Sequence, residues 1–322
     1  PEGDRRHRFG ADLALGSELY GKAHGHYGYG EEHRDPGDAA RYPCGVTDSE
    51  WERVRPLFDP PGRPGRPPKY PRRKMLDAVL YVLRSGCSWR LLPKDFPPVN
   101  TVYVTFRRWQ AAAVFEKFYE ELRSLWRQRE HRAVEPTGGV MDSQSARISP
   151  QGGPSGYDAG KNVKGRKRHL VTDTLGLLLA VVISTGDVQD RDAGPAVAAQ
   201  AKAKVPTLAK LFVDGGYAGT CQDSIRAALS MDVEVVRHPG NRNVGRWTDG
   251  QLPLFDDIPT GFVVLPRRWV IERTNAWNLR MRRLLAEHDR RPEVTAAWIW
   301  LAQGRILLRR LDAAPTHDTN VA

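Results

Sequence analysis

The chain has 322 residues, 40% of them apolar and 27% charged, enough for a sizeable core in one extended domain or two. No run of about 18 apolar residues and no leader-like N-terminus is present, so neither a membrane span nor a signal peptide is expected. Lys and Arg number 49 against 38 Asp and Glu, a net charge of +11 that suits a polyanionic partner such as nucleic acid, with a merely basic soluble protein the equal alternative on composition alone.

Residues 1–43 are polar and rich in Gly, His and Arg and are expected to form a poorly ordered extension. His24 and His26 read as scattered surface groups rather than metal ligands. The first residue is Pro1 rather than Met, which suits a processed, truncated or conceptually translated product. Cys44, Cys87 and Cys221 lie too far apart for a zinc spacing or a disulfide framework and fit a reducing, cytoplasmic compartment.

From "VTDSEWERVRPLF" a helix is predicted, capped by Thr47 or Asp48 and limited by Pro56. A Pro/Gly/basic connector follows at 60–74. "MLDAVLYVLRSG" has helical apolar spacing at Leu76, Val79, Leu80 and Leu83, closed by Gly86. "TVYVTFRRWQAAAVFEKFYEELRSLWRQR" reads as one or two more helices. Residues 44–134 are therefore predicted to be a small helical, DNA-binding domain.

Strand patterns begin at "GGVMDSQSARIS". "RKRHLVTDTLGLLLAVVIS" reads as two strands joined at "TLG", and "DAGPAVAAQAKAK" as a helix. "KLFVDGG" is a strand, "SIRAALSM" a helix and "DVEVVRHP" a strand. Residues 240–266 look irregular. "RRWVIERTNAWNLRMRRLLAEH" and "EVTAAWIWLAQGRILLRRL" are predicted helices. This order implies an α/β fold, a mixed sheet flanked by helices, over residues 135–311, with a flexible tail at 312–322.

Three acids stand out. Asp142 closes the apolar stretch before "DSQS", Asp214 follows Leu211, Phe212 and Val213, and Glu272 lies on the basic helix. Carboxylates brought together from separate elements suit Mg²⁺, which takes oxygen ligands and leaves room for substrate phosphates. Two such ions about 3.5–4 Å apart can serve the attacking and leaving oxygens of a phosphate. Plainer readings stand beside this one. Asp142 can cap a turn through Ser143 or Ser145, Asp214 can make an Asx turn before Gly215 and Gly216, and Glu272 can pair with Arg268 or Arg273. On the helical wheel Val270, Thr274, Trp277, Met281 and Leu284 share one stripe. Glu272 points nearly opposite with Ala276 and Leu279 beside it, which suggests a second covered face, although an exposed Glu fits the same wheel.

"VMDSQSAR", "GRKRHLVTDTLGL", "FVDGGYAG" and "RRWVIERTNAWNLRMRRL" follow "TDSEWERVRPLF", "GRPPKYPRRKMLDAVLYVLRSGCSWRLLPKDFPP" and "TVYVTFRRW". In that order the chain resembles the DDE transposases of bacterial insertion sequences, especially the insertion sequence five group, over roughly residues 45–311. The resemblance implies a ribonuclease-H-like core with the first Asp on the first strand, the second just beyond the fourth, and the Glu on a later helix. It implies that Asp142, Asp214 and Glu272 are catalytic and hold Mg²⁺, with Mn²⁺ able to substitute. The implied chemistry is water attack at a transposon end, then attack of the freed 3′-hydroxyl on target DNA. Arg268 and Arg280 match the basic signature around the family's Glu. The signature's Tyr would fall at Leu265 and is missing.

For double-stranded DNA the candidate contacts begin at Arg63, Arg66 and Lys69, where Arg-Gly-Pro hooks can enter a narrow minor groove and a solvated linker is the equal alternative. Arg107 and Arg108 suit a helix-turn-helix element, with Trp109 read as core. Lys164, Arg166, Lys167 and Arg168 form a strip that strand alternation splits between two faces, and His169 is read as structural. Arg268, Arg273, Arg280 and Arg283 complete the set. Pairing two DNA ends implies a homodimer or a larger assembly, associated with the nucleoid. A nuclease without strand transfer, or a non-catalytic DNA-binding remnant, are the competing functions.

Overall fold

The computed structural model describes residues 42–62, 68–236 and 268–313. The expectations for Arg63, Arg66, Leu265 and the segments 1–41, 237–267 and 314–322 lie outside these residues. The first helix, α1 (Asp48–Phe58), begins with a capping box: the Thr47 hydroxyl accepts from the Glu50 amide while the Glu50 carboxylate accepts from the Thr47 amide. Pro56 does not limit α1 as predicted. It sits in the last turn, where its missing donor removes one bond, and the helix closes at Asp59 through a 2.7 Å bond to the Arg55 carbonyl. Helix α2 (Arg72–Ser85) ends at Gly86, whose φ of 71° is left-handed and therefore natural for glycine. The next stretch is two helices, α3 (Val99–Ala111) and α4 (Val114–Arg129), divided at Ala113 with a φ of 52°.

The strands are β1 (Gly138–Arg147), β2 (Gly156–Asp158), β3 (Val163–Asp173), β4 (Leu178–Thr185), β5 (Lys210–Val213) and β6 (Asp232–Val235). Helix α5 (Asp190–Lys204) precedes β5 and α6 (Thr220–Leu229) follows it. The sheet order is β2–β3–β1–β5–β6, with β4 also on β3. β1, β2 and β4 run antiparallel to β3, while β5 runs parallel to β1 and to β6. This is the mixed sheet expected from sequence, with the three-residue β2 as an unpredicted addition that makes the strand before Asp214 the fifth rather than the fourth.

The predicted helix over 267–288 is shorter than its sequence suggests. Helix α7 (Trp269–Leu279) stops, Met281 is extended, and a 3-10 turn follows at Arg282–Leu284. Beyond it the chain runs beside the end of β1: the Glu287 amide donates to the Arg147 carbonyl at 2.7 Å and the Ser149 amide to the Glu287 carbonyl at 2.9 Å. Tertiary pairing overrides local propensity here. Helix α8 (Pro292–Asp312) then crosses the molecule.

One apolar core covers the helices and one face of the sheet, uniting Phe58, Leu76, Phe106 and Tyr119 with Val140, Leu170, Phe212, Ile271 and Trp298. The other face packs Met141, Val171, Leu211 and Val213 under α5 and α6. The boundary near 134 is thus a change of secondary structure within continuous packing. Phe106 stacks on Trp298 at 4.4 Å, and the Tyr119 hydroxyl accepts from the Leu178 amide at 2.6 Å. Gly304 in α8 lets the Phe118 ring of α4 approach so closely that a methyl group there would overlap it. Gly304→Ala should therefore destabilise the fold by about 1–3 kcal/mol, despite a helix-propensity gain of about 1 kcal/mol. Chemical denaturation measures this, and a stabilised variant would show that α4 and α8 are not packed as described.

Candidate active site

β1 and β5 pair in parallel, with Val140 opposite Phe212. Both of these side chains enter the same core, on the face that also takes Val270 and Ile271 of α7. Side chains alternate along a strand, so Asp142 and Asp214, each two residues further on, return to that same face. Neighbouring strands lie about 4.8 Å apart, which is why two acids remote in sequence become neighbours. The paired ladder ends at Val140 and Phe212 on this side of β1 and β5, and the acids emerge where the strands open.

Arg268, at the start of α7, faces both: its Nη2 lies 3.9 Å from Asp142 Oδ1 and 3.7 Å from Asp214 Oδ2. One guanidinium therefore serves two carboxylates. Asp142 Oδ2 also accepts from Asn275 Nδ2 at 3.3 Å. Burial pushes the Asp142 carboxyl up to about 6. The Ser143 amide and Arg268 oppose that rise, and the Asp214 charge adds to it. Asp214 Oδ1 accepts from the Gly216 amide at 2.9 Å. The plain Asx-turn reading is thus realised with one oxygen while the other faces Arg268. Ser145 takes no part with Asp142: its Oγ bonds instead to Asp158 at 2.5 Å.

Glu272 is exposed, as are Ala276 and Leu279, so the suggested second covered face of α7 does not exist. Arg268 faces the aspartates and Arg273 donates to the Leu175 carbonyl at 2.7 Å, so Glu272 pairs with neither among the described residues. Its placement is informative nonetheless. Positions 268, 272 and 275 fall on one stripe of a helix at 3.6 residues per turn, and the first and last touch Asp142. Among the described residues, no three His, Cys, Asp or Glu side chains gather closely enough to hold a metal ion. The pair Asp142–Asp214 still fits a hard divalent cation in kind: two carboxylates converge on a single positive charge with one more on the adjacent helix stripe.

Asn275 was not anticipated. It is 8% exposed, and its Oδ1 is buried with no hydrogen-bond partner among the described residues. Its spacing from Glu272 was visible in sequence, but only tertiary packing reveals the contact with Asp142. Helix α7 is held in this rotation by Thr274 Oγ1, which donates to the Gly176 carbonyl at 2.6 Å, and by Asn278, whose Oδ1 accepts from Gln303 at 2.8 Å.

The predicted DNA contacts divide sharply. Arg166, Lys167, Arg168 and Arg283 are buried, which corrects their assignment to phosphates. Arg168 is bonded to Glu287 at 2.7 and 2.6 Å and to the Leu284 carbonyl at 2.9 Å. Arg166 donates to the carbonyls of Pro154, Asp289 and Arg290. Lys167, on the opposite face, pairs with Asp158 and Asp190, so the predicted split is real but both faces are interior. Arg283 pairs with Asp289 at 3.0 Å. Arg273 is half-buried between the rings of Trp269 and Trp277. Lys69, Arg108, Lys164 and Arg280 are exposed and Arg107 is half-buried. Trp109 packs edge-on against Phe58 in the core, and His169 is buried with Nε2 2.8 Å from Ser184 Oγ, as expected of structural residues.

Residues 134–304, more than half of the chain, match the family model of the transposase DDE domain. The chain belongs to the DDE transposases. Residues 46–119 match a second model, for transposases of the IS4/5 family. The chain is 31% identical over 109 residues to "Insertion element IS402 uncharacterized 16.2 kDa protein" of Burkholderia cepacia, covering 32% of this chain and 72% of that one. It is 38% identical over 74 residues to "Uncharacterized protein y4sN" of Sinorhizobium fredii (strain NBRC 101917 / NGR234), covering 23% of this chain and 58% of that one. DDE transposases are metal-dependent enzymes that cleave DNA and transfer strands, and their domain carries a ribonuclease-H-like fold. For a DDE transposase the mixed sheet flanked by helices is the expected frame. No described helix is long and apolar enough to cross a membrane.

Proposed function

We propose that this chain cuts double-stranded DNA at the terminal inverted repeats of its own mobile element and joins the freed 3′-hydroxyl to target DNA. Asp142, Asp214 and Glu272 would hold Mg²⁺, with Mn²⁺ able to substitute. The observation that carries this reading is the register of β1 and β5, which sets Asp142 and Asp214 side by side on the face of α7. Such ions supply activation of the attacking oxygen and charge neutralisation at phosphorus. Asp142 and Asp214 contribute a rigid pair of oxygens on strand ends, and Asn275 fixes the orientation of one of them. Arg268 balances their charge and, at a partly open site, has a phosphate as its natural second partner. Glu272 approaches from the same stripe of α7. Two ends must be handled together, so the working unit on DNA is a dimer or larger, associated with the nucleoid.

A second reading, a DNA-binding remnant without catalysis, is favoured by one observation, the exposed Glu272 with no partner among the described residues. Incubating the protein with Mg²⁺ and a duplex carrying the element's end separates the readings. Cleaved 3′-ends together with joined products are expected. Nicks without joining would reduce the activity to that of a nuclease, and bound but intact DNA would leave the remnant.

A further inference from the structure

Away from the acids, a cleft of about 690 Å³ opens between α2, the end of α7 and α8. Six arginines line it, Arg84, Arg280, Arg282, Arg305, Arg309 and Arg310, and among the described residues no acidic one does. Three of them build the walls. Arg84 donates to the Arg280 carbonyl at 2.7 Å, Arg305 to Glu50 at 2.5 Å and the Gly45 carbonyl at 2.6 Å, and Arg309 to the Pro43 carbonyl. Arg310 is stacked on Trp277 at 4.2 Å. Arg280 and Arg282 are exposed and have no carboxylate partner among the described residues.

Glu50 compensates Arg305, and the other arginines of the cleft are gathered with no carboxylate paired to them among the described residues. Arg309 and Arg310 are pulled below the ordinary arginine range, first by burial and then by neighbouring guanidiniums. An anion in the cleft relieves that repulsion. The floor includes Leu80, Met281 and Ile306, a surface suited to sugar rings rather than to a small hydrated ion. Arg268 and Arg280 stand at opposite ends of α7, and a helix rises 1.5 Å per residue, so the cleft is about 18 Å from the acids. Phosphates of one DNA strand advance about 3.4 Å per nucleotide along the duplex axis, so a duplex lying along α7 covers that distance in about five base pairs.

We propose that this cleft receives the sugar–phosphate backbone of duplex DNA about five nucleotides from the bond presented to Asp142 and Asp214. The inference rests on the DNA-cleaving reading for its register, while its binding test does not require cleavage. The probe is a duplex of about 30 base pairs of arbitrary sequence, titrated over a range of salt concentrations with the full chain. Each lost phosphate contact lowers the slope of log K against log salt by about 0.9. Arg280→Ala/Arg282→Ala should make the slope shallower by about 2 and weaken binding about tenfold, equally for all sequences. The control Arg53→Ala/Arg55→Ala removes the same charge from the exposed face of α1 and should stay near wild type. Thermal melting of both variants should match the parent, so a folding defect is recognised as such. Equal slopes for the cleft variant and the control would overturn the proposal. Failure of the parent protein to cleave in Mg²⁺ would defeat the functional reading while leaving the measured slope difference intact.

Discussion

Asp142→Asn, Asp214→Asn and Glu272→Gln should each lower Mg²⁺-dependent cleavage by about a thousandfold or more, about 4 kcal/mol of transition-state stabilisation, with DNA affinity close to that of the parent. Each substitution keeps the side chain's shape and removes one anionic ligand. The three should also differ in stability, because their surroundings differ. Asp142 is largely buried, and burial raises its carboxyl to about 6, so its ionised form opposes folding. The sign follows: a carboxyl raised from 3.8 to about 6 binds its proton more tightly in the folded chain. Its stabilising contribution is complete below about pH 4 and is lost as pH rises through 6. Asp142→Asn is therefore expected to melt a few degrees above the parent at pH 7.5, with the gain vanishing towards pH 4. Glu272→Gln, at an exposed position, should not shift the melting temperature measurably. Cleavage and melting curves across pH decide the matter; an Asp142→Asn protein that cleaves like the parent contradicts the assignment.

Glu287→Ala should lower stability by about 3–5 kcal/mol, because it leaves two buried guanidiniums without their anion. Glu287 is 1% exposed and lies between Arg168 and Arg166, 2.6 and 3.5 Å away. It also accepts from the Thr295 hydroxyl. At about 2–4 °C per kcal/mol for a domain of 150–250 residues, the melting temperature should fall by about 10 °C. Replacing Arg168 and Glu287 together, as Arg168→Met/Glu287→Leu, should recover only part of that loss, since Arg166 keeps its carbonyl acceptors but loses its anion. A fall of under 1 kcal/mol for Glu287→Ala would show that the pair is hydrated rather than interior. The same network fixes the chain beyond α7 against β1, so the position of the site helix depends on it.

Much of this arrangement was legible in the chain itself. The apolar run Leu211, Phe212, Val213 closing on Asp214 and two glycines marked a strand end, and Val140 and Met141 marked the other. Their parallel register was not legible, because pairing partners 72 residues apart leave no local trace. The rotation of α7 misled for a different reason. The stripe of Val270, Thr274 and Trp277 is buried as expected, but Asn275 and Asn278 are buried as well while Leu279 is 42% exposed, so hydrophobicity marks one covered face and misplaces the other. Arg166 and Arg168 read as surface charge because charged side chains are rarely fully buried unless paired. Their partner lies 119 residues from Arg168, and only the fold brings it there. The end of α7 was hidden likewise: the residues after Leu279 have good helical propensity and are drawn instead along β1.

The most direct test is a crystal structure of the protein grown with Mn²⁺, read through the metal's anomalous scattering. The account predicts a peak between the carboxylates of Asp142 and Asp214, with Arg268 turned away and the Glu272 carboxylate within about 2–2.5 Å of the metal, the range of oxygen ligation. A peak bound elsewhere, or one on the aspartates with Glu272 still facing solvent when a DNA end is bound, would contradict it.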